Sequence, residues 1–446
     1  MPLHPQDQSA ILAISKADIE KTLGGLKQFT RKALWLSKNN SYSLDVVKKI
    51  KDELSSGGLH NPKHLAQYIT ASSLLHASDG WSYLGKALSA LASGDPRRAI
   101  HFGYYAELRA AMSLLATEGI GVFDTKHFIV NSTNSVAKLR NGGGTHVFGW
   151  EALEAWAGIP SSGQLFASLV QPDGRSLNEW LFKIGGGSAA SPQARQWFLQ
   201  WGMDLMSANG DRDLRNESSY RPDGIPTTKT MDARETIQFI SDVWISLEPS
   251  RLSKFDSIDR QILRLALEGI YEGRFGQKSS ADSAAFEVFV GGVVADQGYQ
   301  GAKAQQLSDF LCRRTDAEDH SIFRFSALPA DHRAFGHLAV IARATLLLRI
   351  ASGASSELLA SAGHGAESLA FWSDAIGNAR GLWDGAKAIT DLTDLWADVM
   401  ESIDAVDEMQ RDVANDTFHK IRDGLAPAIA VLGTCERVGL WSLLPA

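Results

Sequence analysis

Cysteine is almost missing from this chain of 446 residues: Cys312 and Cys435 are the two present, and neither lies near another thiol or a histidine pair. That excludes a disulfide framework and a thiolate zinc site. A surplus of positive charge is missing as well, since 44 Lys and Arg stand against 51 Asp and Glu, a formal net charge of −7. Coating of DNA by bulk electrostatics is therefore excluded. A local basic cleft is not, because net charge says nothing of its distribution. Long apolar runs are absent too. The longest, Ala339 to Ile350, is interrupted by Arg343 and Arg349 and is too short to span a bilayer, so it reads as a core helix. The N-terminus, Met1-Pro2-Leu3-His4-Pro5-Gln6-Asp7, has no basic region followed by an apolar stretch, hence no secretory signal. A cytoplasmic protein with no membrane partner is expected. Gly185, Gly186 and Gly187 lack the lysine that follows a phosphate-binding loop, for Lys183 precedes them. No cofactor signature is present, and none is expected to bind.

What the chain does contain is helical punctuation. Hydrophobic residues make up 44% and charged residues 21%, an ordinary globular balance at a length that calls for two or three domains. Ser43 before Leu44-Asp45-Val46-Val47 reads as an N-cap, and Gly57-Gly58 as a stop. Asp95-Pro96 and Ser191-Pro192 open further helices, with proline where its missing N–H is harmless. Helical patterns continue over 237–247, 258–271, 286–295, 335–351, 369–376, 390–409 and 413–432. Period-two alternation is confined to Phe128-Ile129-Val130 and Ile322-Phe323-Arg324-Phe325. The glycine runs 142–144 and 185–187 read as connectors, and the polar stretch 221–230 as a boundary. The fold class is all-α, a multi-helix bundle, with an N-terminal helical segment over 1–69, a helical domain over 70–225 and a second over 231–446.

Pro96 to Gly119 carries Tyr104, Leu108, Met112 and Leu115 on one stripe, an amphipathic helix. Glu107 lies on a neighbouring seam with Gly103, Ala111 and Leu114, where an unpaired carboxylate is costly. It therefore meets a cation from another element, either as a structural ion pair or in a catalytic role.

The run Tyr104-Tyr105-Ala106-Glu107-Leu108-Arg109 through Gly119-Ile120 resembles the leading bundle helix of the HEPN superfamily. Arg212-Asp213-Leu214-Arg215-Asn216-Glu217-Ser218-Ser219-Tyr220 resembles that family's second hallmark, an arginine and polar residue followed at short spacing by histidine or tyrosine. The resemblance spans roughly residues 70 to 225. It implies a homodimer that cleaves RNA without a metal, as bacterial toxins and phage-defence effectors do, with Arg215, Asn216 and Tyr220 as site residues. The alternative it implies is a non-catalytic sensor or scaffold that binds a partner protein, with the C-terminal domain as the docking or control element.

The chemistry can be stated without the family. Metal-free RNA cleavage needs a base at the 2′-hydroxyl, an acid at the leaving oxygen and a cation at the phosphorane. Arg215 suits the last role, since its fork binds phosphate and keeps its charge. Tyr220 is a poor base with a reference pKa of about 10. Arg140-Asn141-Gly142-Gly143-Gly144-Thr145-His146 offers a histidine in the right titration range, although a glycine loop positions groups badly and Thr145 is a rival cap for the next helix. His76 and Asp79 form at most a lone pair, and 316–320 reads as a solvated acidic loop. His332 and His337 read as capping or core, and Trp197 and Trp201 as core anchors.

Overall fold

The computed structural model describes residues 3–186, 212–213, 215–217, 219–220, 232–276, 279, 283–313, 319–328, 332, 335–383, 393–412 and 417–445. Ser191-Pro192, the two tryptophans 197 and 201, and the boundary at 221–230 lie outside them.

Short helices come first: α1 (Pro5–Leu12), α2 (Lys16–Gly24), α3 (Lys27–Thr30) and α4 (Val46–Ser55). The cap of α4 is Asp45, whose carboxylate accepts the Lys48 N–H, rather than Ser43 two residues earlier. A carboxylate at that place also suits the positive end of the helix dipole. Two long helices follow, α5 (Pro62–Ala92) and α6 (Pro96–Thr117), started by Asn61-Pro62 and Asp95-Pro96 with the capping side chain accepting an N–H three residues on. Gly119 leaves α6 at φ 75°, and the chain turns into three antiparallel strands, β1 (Ile120–Gly121), β2 (Phe128–Ser132) and β3 (Ser135–Lys138). Ile120 faces Ile129 and Ile129 faces Ala137. The strand-like run at 128–130 is therefore a strand.

Next come α7 (Thr145–Ala157), α8 (Pro160–Leu169) and α9 (Leu177–Trp180). The second half holds α10 (Ala233–Ser246), α11 (Asp256–Phe275), α12 (Ser283–Asp296), α13 (Gly301–Leu311), α14 (Ser321–Ser326), α15 (Gly336–Ser361) and α16 (Ala370–Arg380). It ends in α17 (Thr393–Asp412), α18 (Phe418–Gly424), α19 (Ala426–Leu432) and α20 (Glu436–Leu443). The all-α class holds.

Two stretches differ from the sequence reading. Residues 322–325 are helical, within α14, because Ile322, Phe323 and Phe325 are all buried and the alternation marks no sheet face. The pattern at 413–432 is split into α18 and α19 at Leu425, where Pro427 enters the first turn of α19. Residues 413–416 lie outside the described residues.

The core is organised by α15. The apolar run at 339–350 is the middle of this 26-residue helix, which by length and composition is long and apolar enough to cross a membrane. Here 94% of its most apolar stretch is buried within the protein, where it packs on both α5 and α6. Trp81 of α5 donates its indole N–H to Ser352 of α15 at 2.8 Å. Ser113 of α6 donates to the Ser73 carbonyl at 2.7 Å and lies 3.1 Å from Ser355. Gly80 admits the contact, since a Cβ there would lie 2.5 Å from Leu348 Cδ2. One apolar cluster thus takes in residues of both halves of the chain, from α2 to α20.

Gly85, inside α5, is a sharper requirement. A Cβ at that position would stand 2.4 Å from the Gly433 carbonyl oxygen and 3.0 Å from the Cys435 nitrogen. Alanine adds about 1 kcal/mol of helix propensity. Collision with backbone that cannot rotate away costs about 1–3 kcal/mol. Gly85→Ala is therefore expected to destabilise the protein, read as a lower urea midpoint; an unchanged or higher midpoint would refute the close approach.

Candidate functional site

On α6 the residues His101, Tyr104 and Tyr105 are spaced i, i+3, i+4 and share a face. The start of α7 meets that face. Its N-cap is Gly144, with no side-chain hydrogen bond; Thr145 is the first helical residue and His146 the second, so Thr145 is not the cap. The loop before it is pinned. Backbone N–H groups of Arg140 and Asn141 donate to the Asp7 carboxylate at 2.9 and 2.8 Å. Asn141 Nδ2 donates to Glu151 at 2.7 Å, and the Gly143 N–H returns to Asn141 Oδ1 at 2.9 Å. His127 Nε2 donates to the Gly143 carbonyl at 2.7 Å. Five hydrogen bonds thus hold the loop from Arg140 to Gly143, two of them on Gly143 itself, which counters the flexibility expected of the glycine run.

His146 is fixed by its neighbours. Its Nδ1 lies 3.1 Å from the Tyr104 hydroxyl, and the two rings stack with centroids 5.7 Å apart. The Arg215 guanidinium lies over the same aromatic pair, 5.3 Å from the Tyr104 centroid and 5.8 Å from that of Tyr105. His101 also stands against Tyr105, with ring centroids 5.0 Å apart and its Nδ1 3.0 Å from Ser219 Oγ. Burial lowers the His146 pKa first, with the positive charges of Arg215 and Arg212 acting in the same sense. Burial and Arg215 lower His101 likewise. Burial pushes the Tyr104 hydroxyl up to about 12. At neutral pH the cluster therefore contains two neutral imidazoles, a neutral phenol and one guanidinium stacked on aromatic faces.

Of the residues singled out from sequence, Arg215 and His146 meet at Tyr104. Asn216 is half-buried next to Arg215, and Tyr220 is 77% exposed. Arg140 is exposed and makes none of these contacts among the described residues. Glu107 is fully buried, 3.9 Å from Arg343 of α15, itself fully buried; this is the cation from another element that its surroundings called for. Arg343 also donates to the Leu328 carbonyl at 2.9 Å.

His101 is not singled out by the sequence reading, and Tyr105 and Ser219 stand in the quoted runs with no role assigned. The signal for the first two was present, because His101 and Tyr105 lie three residues before and one after Tyr104, beside the start of the apolar stripe. Nothing in sequence joins Ser219 to His101 across 118 positions.

Two other readings are sharpened. His76 Nδ1 accepts from Arg109 at 2.8 Å, while Arg109 reaches Asp79 at 3.7 Å, so His76 and Asp79 are bridged by an arginine. Burial, with Arg109 adding to it, pushes His76 down to about 3. Asp319 is no solvated carboxylate: it pairs with Arg264 and, at 3.4 Å, with Arg313. Residues 314–318 of that loop lie outside the described residues. No protein-family model, curated protein or solved structure matches the chain.

Proposed function

We propose that the protein is a metal-independent endoribonuclease of the HEPN-like kind, working as a dimer in a toxin or anti-phage setting, with its site at His101, His146 and Arg215. The observation that carries this reading is the guanidinium of Arg215 lying over Tyr104 and Tyr105, with the rings of His101 and His146 5.0 and 6.0 Å from that of Tyr105. Residues 101, 146 and 215, remote in sequence, supply the base, acid and cation that the reaction needs.

In this reading one neutral imidazole takes the 2′-hydroxyl proton as O2′ attacks phosphorus. The bond from phosphorus to O5′ breaks, and the second imidazole, protonated, gives its proton to O5′. The products are a 2′,3′-cyclic phosphate and a 5′-hydroxyl. Arg215 is one of the causes holding both histidines neutral, so an arriving phosphodiester, by offsetting that charge, raises their pKa values and lets one carry the acid proton. The Tyr104 hydroxyl on His146 Nδ1 leaves Nε2 as the working nitrogen.

A second reading, a non-catalytic scaffold that binds a partner protein, is favoured by the covering of Arg215, 9% exposed, and by Tyr220 standing out in solvent. Cleavage of an end-labelled RNA pool in EDTA separates the two. Arg215→Ala, His146→Ala and His101→Ala are each expected to lose about 100-fold or more, while Arg140→Ala stays near the parent. If the folded parent cuts nothing, even with extract of phage-infected cells added, the scaffold reading stands. A strict monomer by light scattering would remove the dimer from this reading and leave the one-chain site to the cleavage assay.

A further inference from the structure

The second half of the chain holds a different pair of chemistry-bearing side chains, on the wall of a cavity of about 460 Å³. Ser257 is the second residue of α11, and its Oγ lies 2.9 Å from Nε2 of His320, the residue just before α14. Both line the cavity, together with Arg313 and Lys303. We infer that Ser257 and His320 form a nucleophile–base pair for a small carboxylic ester bearing a negative charge.

Four observations support it. A hydroxyl within hydrogen-bond reach of an imidazole is the arrangement that makes serine a nucleophile at neutral pH. Burial holds His320 below its ordinary pKa, with Arg313 acting in the same sense, so the ring is neutral and able to accept, while the Asp242 and Asp319 carboxylates favour the imidazolium that forms. The first-turn N–H groups of a helix have no acceptor within it, and Phe255 at the N-cap of the 20-residue α11 provides no side-chain one. These N–H groups surround Ser257 and suit a developing oxyanion. Finally, the cavity's charges are not all spent on one another: Glu248 and Lys303, of opposite sign, both line it. Asp173 and Asp256 both face Arg260, the latter at 2.9 Å. Lys303 lies 4.8 Å from the Tyr299 ring centroid and has no carboxylate partner among the described residues.

In the reaction Ser257 Oγ attacks the ester carbonyl carbon while its proton passes to His320 Nε2. The tetrahedral intermediate collapses, the bond from acyl carbon to alkoxy oxygen breaks, and the departing oxygen takes the proton from His320. Water, deprotonated by the same ring, then releases the acid and restores the serine. Lys303 pairs with the substrate's anionic group.

A fluorophosphonate probe tests the pair without knowledge of the natural ester. One adduct per chain is expected, mapped by peptide mass to Ser257, with labelling lost in Ser257→Ala and slowed about 100-fold in His320→Gln. No adduct on the folded parent, or an adduct on another residue, overturns the proposal. Should Ser257→Ala fail to fold, the peptide map of the parent decides alone. The charge preference is read from 4-nitrophenyl hemisuccinate against 4-nitrophenyl butyrate: the anionic ester is favoured by the parent, and Lys303→Ala removes that preference. Equal rates in the parent would overturn the part assigned to Lys303.

Discussion

Replacing Arg349 with methionine is expected to lower stability by about 3–5 kcal/mol, as breaking one side of a buried ion pair does. Arg349 stands on α15 and clasps Asp259 of α11 with two parallel bonds, Nε to Oδ1 at 2.7 Å and Nη2 to Oδ2 at 2.6 Å. The same Nη2 donates to the Leu169 carbonyl at 2.6 Å, at the end of α8, and the Gln171 N–H donates to Asp259 Oδ2 at 2.7 Å. Asp259 is fully buried and Arg349 is 3% exposed. Without the guanidinium, one backbone N–H is left to hold a buried carboxylate. Asp259→Leu alone should cost a similar amount by leaving the arginine buried. The double variant should recover most of the loss, because two apolar side chains carry no desolvation penalty. Urea midpoints of the four proteins, followed by tryptophan fluorescence, give the coupling. Single variants within about 0.5 kcal/mol of the parent, the range of ordinary surface changes, would show that the pair does not hold α8, α11 and α15 together.

Acidification is expected to act on two other buried groups. His127 is fully buried, its Nε2–H donating to Gly143 while Nδ1 accepts the Phe123 N–H at 3.3 Å, so both nitrogens are used in the neutral form. Its ring stacks on Phe148 with centroids 3.6 Å apart. Burial pushes His127 down to about 4, and it does the same to His337 at the start of α15. An unfolded histidine titrates near pH 6.5, so between there and about pH 4 the unfolded chain binds protons that the folded one refuses. Stability is fully present above that window and falls as pH drops through it. Each pH unit removes about 1.4 kcal/mol for each such histidine, or about 3 kcal/mol apiece over the window. His337→Leu should make the fall of the urea midpoint between pH 7 and 5 shallower by one histidine's share. A slope equal to the parent's would mean that His337 is protonated in the folded protein.

Much of the helical framework was legible because its signals are local. Asp95-Pro96 marks the start of α6 to the residue, since a cap and a first-turn proline need nothing from elsewhere in the chain. Glu107 announced a buried cation, because small and apolar neighbours leave a carboxylate no other exit. The reading failed where tertiary surroundings decide. Ile322 to Phe325 alternates like a strand, yet burial on several sides makes it a helix. At the candidate site, Arg215 and His146 were visible as types, whereas their meeting at Tyr104 was not, for no periodicity links 104, 146 and 215. The contact between Ser257 and His320, 63 positions apart, likewise joins the first turn of α11 to the residue before α14 and left no trace in either segment.

The position of α15 has a consequence for how the chain is born. The helices α5 and α6 end at Thr117, but the wall they pack against starts at Gly336, more than 200 residues later. At a synthesis rate of about 5–20 residues per second, roughly 10 to 40 seconds pass before the ribosome delivers it. Until then the apolar residues of α5 and α6 that α15 covers in the folded protein have no cover from this helix, so the core closes only late in synthesis.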